Sequence, residues 1–300
     1  MLLVDASRLS LIRCSLLGLC LPFLLVHSAA GQEKPYFVTY SHELEEPGNL
    51  EIETKTALAR PDGGNHVGAT AMELEYGVRA WWTSELYLDG QATSRDSTVF
   101  TGFRIENRVR PLMQEHVINP VLYVEYENIA ASDKTLLEVV GHDGQSDLAA
   151  PNSTARREHE HEAELRLILS SNLRDWNIAE NFIAEKNLGH SPWEFGYALG
   201  ATRPLRSAAG AHDSAFGLDK FIAGAELYGG LGDTVSLTLG DTSHYIAPLL
   251  GWQLPRGMRL SFSPGFGLTE TSLNRVYRVG LAYEFNQVGG WFRSGNRSAQ

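Results

Sequence analysis

The chain has 300 residues, 43% of them hydrophobic, and 25 Lys and Arg against 36 Asp and Glu give a net charge of −11. That acidity argues against a nucleic-acid partner, because phosphate binding needs a basic face. Mean hydropathy is −0.19, and past the N-terminal segment nothing approaches the apolar run of about 18 residues that a membrane helix needs.

Arg8 and Arg13 precede an apolar run from Cys14 to Val26, followed by His27, Ser28, Ala29, Ala30 and Gly31. A positive start, a short apolar middle and small residues at the exit predict a secretory signal peptide over residues 1–30, cut after Ala30. The run is short for a permanent anchor. Leu19 is too large to precede a lipidated Cys20. Cys14 and Cys20 are the only two cysteines, so the mature chain is expected to carry no disulfide, thiolate metal ligand or Cys nucleophile.

Residues 31–49 read as a lead-in, with Tyr36–Leu44 a strand of its own or an extension of the first, broken by Pro47, Gly48 and Asn49. From Leu50 onward, apolar and polar residues alternate in segment after segment, with turn signals between and no helical period. The segments are Leu50–Leu58, Gly68–Tyr76, Trp81–Gln91, Ser97–Arg110, Asn119–Glu127, His159–Ser170, Asp175–Lys186, Trp193–Gly200, Phe221–Tyr228, His244–Trp252, Met258–Leu268 and Arg275–Phe285. About twelve strands over 50–285 predict an all-β fold: one closed, antiparallel, up-and-down barrel with an even strand number. The longest connection, 128–158, then falls on the outer side with the other long loops, while 77–80 and 171–174 are tight inner turns. The connection 202–218 is long for an inner turn and leaves the strand count open there. A soluble β-sandwich, with its apolar faces buried, is the structural rival.

The last segment, RVYRVGLAYEF, places Tyr277, Val279, Leu281, Tyr283 and Phe285 on one face. Arg278, Gly280, Ala282 and Glu284 fall on the other face, since strand side chains alternate. It resembles the C-terminal signal strand of bacterial outer-membrane barrels, whose polar, Gly and two aromatic positions are filled by Arg278, Gly280, Tyr283 and Phe285. A tail, 286–300, follows, whereas such barrels usually stop at the last aromatic. The resemblance implies residence in the bacterial outer membrane, with lipid and lipopolysaccharide around the barrel. It also implies recognition by the barrel-assembly machinery through Gly280, Tyr283 and Phe285.

In a closed barrel of this kind the charged face lines the lumen. Expected there are Glu51, Glu53, Lys55, Glu73, Glu75, Arg104, Glu106, Arg108, Glu125, Glu127, Glu160, Glu162, Glu164, Arg166, Glu194, Glu226, Arg259, Arg278 and Glu284. These groups either pair into a plug or line a narrow path in which an acidic excess prefers cations. The first outcome describes a non-conducting surface barrel that binds a partner through loop 128–158; the second describes a narrow porin for small solutes or cations. Tyr87, Tyr123 and Tyr228 also point lumenward. Trp81, Trp82, Trp176, Trp193, Tyr197, Tyr245, Trp252, Tyr277, Tyr283 and Phe285 are expected in the interfacial girdle.

No cofactor motif and no metal site is expected. In the run Glu158-His159-Glu160-His161-Glu162 the two His and the three Glu fall on opposite strand faces, whereas zinc and copper sites gather ligands from separate elements. The outer-membrane phospholipase family's His-any-Ser-Asn-Gly pattern is absent. The adjacent pairs His190-Ser191 and Ser243-His244 point to opposite faces of a strand and cannot share a proton there. An enzyme is not expected.

Overall fold

A computed structural model of the protein describes residues 34–288 except 131–132, 135–139, 143–147, 156, 158, 190–191 and 207–215. The predicted signal peptide, Glu158, His190-Ser191 and the tail beyond Val288 lie outside the described residues. Twelve strands follow in order: β1 (Leu50–Ala59), β2 (Val67–Arg79), β3 (Trp82–Thr93), β4 (Thr98–Val109), β5 (Asn119–Ala130) and β6 (His159–Leu173). Then come β7 (Trp176–Asn187), β8 (Glu194–Pro204), β9 (Phe221–Asp233), β10 (His244–Leu254), β11 (Met258–Gly267) and β12 (Arg275–Phe285). Each strand pairs with the next, and β12 returns to β1 from Leu50 opposite Phe285 to Ala59 opposite Val276. The result is a closed antiparallel barrel with no free sheet edge. That ring replaces the sandwich alternative.

The alternation explains the closure. Outward positions such as Ile105, Leu122, Val124, Leu165, Phe182, Val279 and Leu281 are exposed, while Glu51, Glu75, Glu106, Arg108, Glu125 and Arg278 on the opposite parity are buried. This reverses the usual arrangement, in which large apolar side chains are inside and charges outside. An apolar mantle of this kind is stable against acyl chains and costly against water. β8 and β9 pair directly from Glu194–Asp233 to Pro204–Ile222, so no strand of the barrel stands between them. The described residues of their connection include a 3-10 turn, Leu218–Lys220.

The lead-in behaves differently from its strand-like pattern. Tyr36–Leu44 forms no strand; it runs inside the barrel, with Tyr36, Phe37, Val38, Thr39, Ser41 and His42 buried. Closure of β1 on β12 leaves no edge for it to join. Its backbone polar groups must still be satisfied once buried, and lumen side chains take that role.

Candidate functional site

In an antiparallel ladder, residues directly opposite one another project to the same face. The register therefore joins acidic side chains that the sequence shows only strand by strand. Glu284 lies opposite Glu51, and Glu51 opposite Glu75. The row continues through Glu85, Glu106, Glu125 and Glu164, and then through Glu185, Glu194 and Asp233. Barrel strands tilt against the barrel axis, so a register row climbs the wall as it crosses strands. This one begins at the penultimate residue of β12, at the end carrying the short turns. It finishes at the last residue of β9, at the end carrying the long loops. A row of carboxylates thus spans the lumen from mouth to mouth.

Like charges directly opposed are unfavourable, and buried ones need partners. Arg108 lies among three of them, 2.7 Å from Glu75, 2.5 Å from Glu85 and 3.1 Å from Glu106. Arg259 bridges Glu51 at 2.8 Å and Glu53 at 2.9 Å. Lys55 pairs with Glu73 at 2.7 Å and reaches Glu53 at 3.7 Å. Arg104 holds Asp89 at 2.9 Å and lies 3.5 Å from Glu125. Arg166 pairs with Glu164, Arg278 donates to Tyr228, and Asn49 Nδ2 donates to Glu284 at 2.7 Å. Glu127 is buried, whereas Glu160 and Glu162 are half-buried toward the long-loop end. Among the described residues, thirteen buried carboxylates face seven buried Lys and Arg side chains. The interior is acidic after all this pairing.

Glu85, Asp89 and Glu185 belong to this interior and escaped the sequence reading. Their signal is parity: Glu85 and Asp89 stand two residues either side of the lumenward Tyr87. Tyr87, Tyr123 and Tyr228 are all buried inside. Tyr245, expected in the girdle, also faces inward and stacks on Tyr228 with ring centroids 5.4 Å apart; its place on the inward parity of β10 is the reason. Trp81, Trp176 and Tyr277 are exposed at strand ends or nearby, and Tyr283 packs edge-on against Phe285 at 4.5 Å.

The lead-in also contributes to the interior, where its strand-like pattern gives no hint of its partners. Glu226 accepts backbone N–H bonds from Phe37 at 3.1 Å, Val38 at 2.9 Å and Thr39 at 2.7 Å. The Tyr40 hydroxyl donates to Glu106 at 3.0 Å and lies 3.0 Å from the Tyr87 hydroxyl. The Arg108 and Arg166 guanidiniums sit 5.0 and 5.1 Å from the Tyr40 ring centroid. His42 Nδ1 is 2.8 Å from Ser170 Oγ, and its Nε2 is 3.2 Å from Glu115. This string ties the lead-in to β6 and to the turn after β4.

At the opposite mouth, part of the long loop folds inward. Asn152 is buried, and its Oδ1 accepts from Gln91 at 2.9 Å and Thr93 at 3.1 Å. Lys134 donates to the Ala150 carbonyl at 2.6 Å, and burial holds its ammonium below the usual lysine range, with Asp96 and Asp133 opposing. His159 and His161 are exposed on the outward face, and His161 Nδ1 lies 2.7 Å from the Tyr126 hydroxyl. They share no ligand set with Glu160 and Glu162, which face the lumen side. His244 turns to the Tyr197 hydroxyl at 2.9 Å.

Fold and lumen together make a closed antiparallel up-and-down barrel, the architecture found among bacterial outer-membrane proteins. No protein-family description and no curated protein sequence matches the chain. Among solved structures, it resembles an outer-membrane channel of the COG4313 group from Pseudomonas putida F1. That likeness has a TM-score of 0.52 at 11% identity, over 81% of this chain and 98% of that one. The NanC porin gives a TM-score of 0.46 at 10% identity over 78% and 98% of the two chains. The KdgM porin, solved in complex with disordered oligogalacturonate, gives 0.45 at 10% identity over 79% and 99%.

Proposed function

We propose that the protein resides in the bacterial outer membrane and provides a narrow, cation-preferring path for small solutes. The apolar mantle supports the location, and the C-terminal strand with Gly280, Tyr283 and Phe285 supports recognition by the assembly machinery. The carboxylate row from Glu284 to Asp233 carries the transport reading. Fixed acidic groups in a pore of low dielectric surroundings attract cations and repel anions. The Arg108 and Arg259 bridges and the lead-in keep the bore narrow, so a small conductance is expected. No catalytic role is proposed.

Reversal potentials in planar bilayers under a KCl gradient test this reading. The wild-type barrel should prefer potassium over chloride, and the double change Glu125→Gln with Glu185→Gln should lower that permeability ratio severalfold. Preference for chloride, or a ratio unmoved by the double change, contradicts it.

A second reading has its own support. The docking of Asn152 and Lys134 into the mouth, together with the ion pairs across the lumen, also suits a non-conducting barrel that meets a partner through loop 128–158. Deleting the part of it that lies between β5 and β6, residues 131–158, should abolish partner binding in this case. In a pore the same deletion should leave current intact.

A further inference from the structure

We propose that the lumen wall is a binding site for an extended, tyrosine-bearing peptide, filled here by the chain's own Pro35–His42, and that this segment leaves and re-enters as a unit. The recognition is that of a peptide backbone. Glu226 collects three consecutive N–H groups, from Phe37, Val38 and Thr39, as successive amides gather round an anion. Asn181 reads Tyr40 as a neighbouring strand would: its Oδ1 accepts the Tyr40 N–H at 2.7 Å and its Nδ2 donates to the Tyr40 carbonyl at 2.9 Å. Arg166 donates to the Val38 carbonyl at 3.2 Å. These contacts do not depend on which side chains the peptide carries.

Side-chain selection comes from two pockets. The Tyr40 ring has the Arg108 and Arg166 guanidiniums over it and the Tyr123 ring 5.4 Å away, with its hydroxyl on Glu106. Cations over an aromatic face and a carboxylate at its hydroxyl together favour tyrosine over other residues. The Tyr36 hydroxyl donates to Asn177 Oδ1 at 3.0 Å and accepts from Thr202 at 3.3 Å.

The wall is shaped to receive the chain. Where the segment lies closest, the strands present glycine. A Cβ on Gly200 would sit 2.5 Å from the Tyr36 ring, and one on Gly251 would sit 2.7 Å from Pro35. A Cβ on Gly280 would be tight only against Glu53 of the wall, at 2.8 Å, and would meet the Phe37 ring in ordinary contact at 3.5 Å. Two strands, β8 and β10, thus leave a groove that side chains of ordinary size would fill. The segment shares no β-ladder with the wall, so each of its bonds exchanges for water when it leaves, without breaking the barrel. Its exit is a turn at the short-turn mouth, where Glu46 and Pro47 are exposed and Gly48 N–H donates to the Gly77 carbonyl at 2.7 Å. That turn is the tether.

Gating follows from this site only if the conducting reading above is right; peptide binding does not depend on it. The experiment therefore reads binding first. A protease site inserted between Glu46 and Pro47 of the mature chain is cut after folding in detergent. A fluorophore-labelled peptide spanning Lys34 to Glu45 is then titrated and followed by anisotropy. The cut barrel should release its own segment on dilution and bind the labelled peptide saturably, and a peptide with Tyr40→Ala should bind at least tenfold more weakly. In the uncut chain, Gly200→Val should expose the lead-in to protease while the barrel keeps its heat-modifiable migration. A segment that stays bound after cutting and dilution, an emptied barrel that takes up no peptide, or equal binding of the two peptides would overturn the proposal. In bilayers, cutting should raise the current severalfold and the peptide should reverse it. Equal currents before and after cutting contradict the gating. Absence of current in both states instead overturns the conducting reading and leaves the anisotropy result to decide the peptide site.

Discussion

Arg108→Met is expected to destabilise the barrel more than any other single change on the inner wall. Arg108 is 0% exposed, and its guanidinium stands between Glu75, Glu85 and Glu106. Methionine matches much of its length but brings no charge, so three closely placed carboxylates lose the cation among them. Breaking a buried ion pair by removing one partner costs about 3–5 kcal/mol, far more than an exposed pair is worth. Tyr40 adds to the loss, because the same guanidinium covers its ring. The unfolding temperature of the heat-modifiable gel band should fall by many degrees. Adding Glu85→Gln should restore part of it, since removing one negative charge relieves the repulsion that the first change created. An unchanged transition in the single variant would mean that the lumen charges are screened by water and do not act as a network.

Val124→Arg is the corresponding test of the outer wall. Val124 is 53% exposed near the middle of β5. An arginine on the lipid face near the bilayer midplane costs about 2–4 kcal/mol, whereas a surface substitution in water usually stays within about 0.5 kcal/mol. The two environments therefore predict results that differ several-fold on the energy scale. Folding into lipid vesicles, followed by denaturant titration, should show a clear fall in the midpoint for the arginine variant. A midpoint equal to the parent's would place Val124 in water.

The strands were legible because their chemistry is local. Period-two alternation in segments such as Ala163 to Arg166, or Tyr277 to Glu284, states which side chains share a face, and turn residues between them limit the lengths. Strand ends were less legible: β6 runs to Leu173 and β9 to Asp233, past the points where apolar alternation fades, because the ladder continues where the pattern no longer marks it. The lumen was legible as a set of residues but not as an arrangement. Whether Glu125 faces Glu164 depends on inter-strand register, a long-range property that no local spacing reveals. Tyr36–Leu44 shows the limit most clearly. Its alternation reads as a strand, yet its conformation is decided by Glu226 and Asn181, well over a hundred residues away, and by the absence of a sheet edge.

Spin labels on β12 test the central claim most directly. Both cysteines lie before residue 31, so protein produced from Gly31 onward accepts single introduced cysteines without background. Labels placed one at a time from Val276 to Ala282, in vesicles, can be probed with oxygen, which concentrates in lipid, and with a polar nickel complex, which does not. Positions Tyr277, Val279 and Leu281 should be accessible to oxygen, and Val276, Arg278, Gly280 and Ala282 should be shielded from it, in strict alternation. Equal access of both probes along the strand, or oxygen access at the even positions, would contradict a barrel whose apolar wall meets acyl chains.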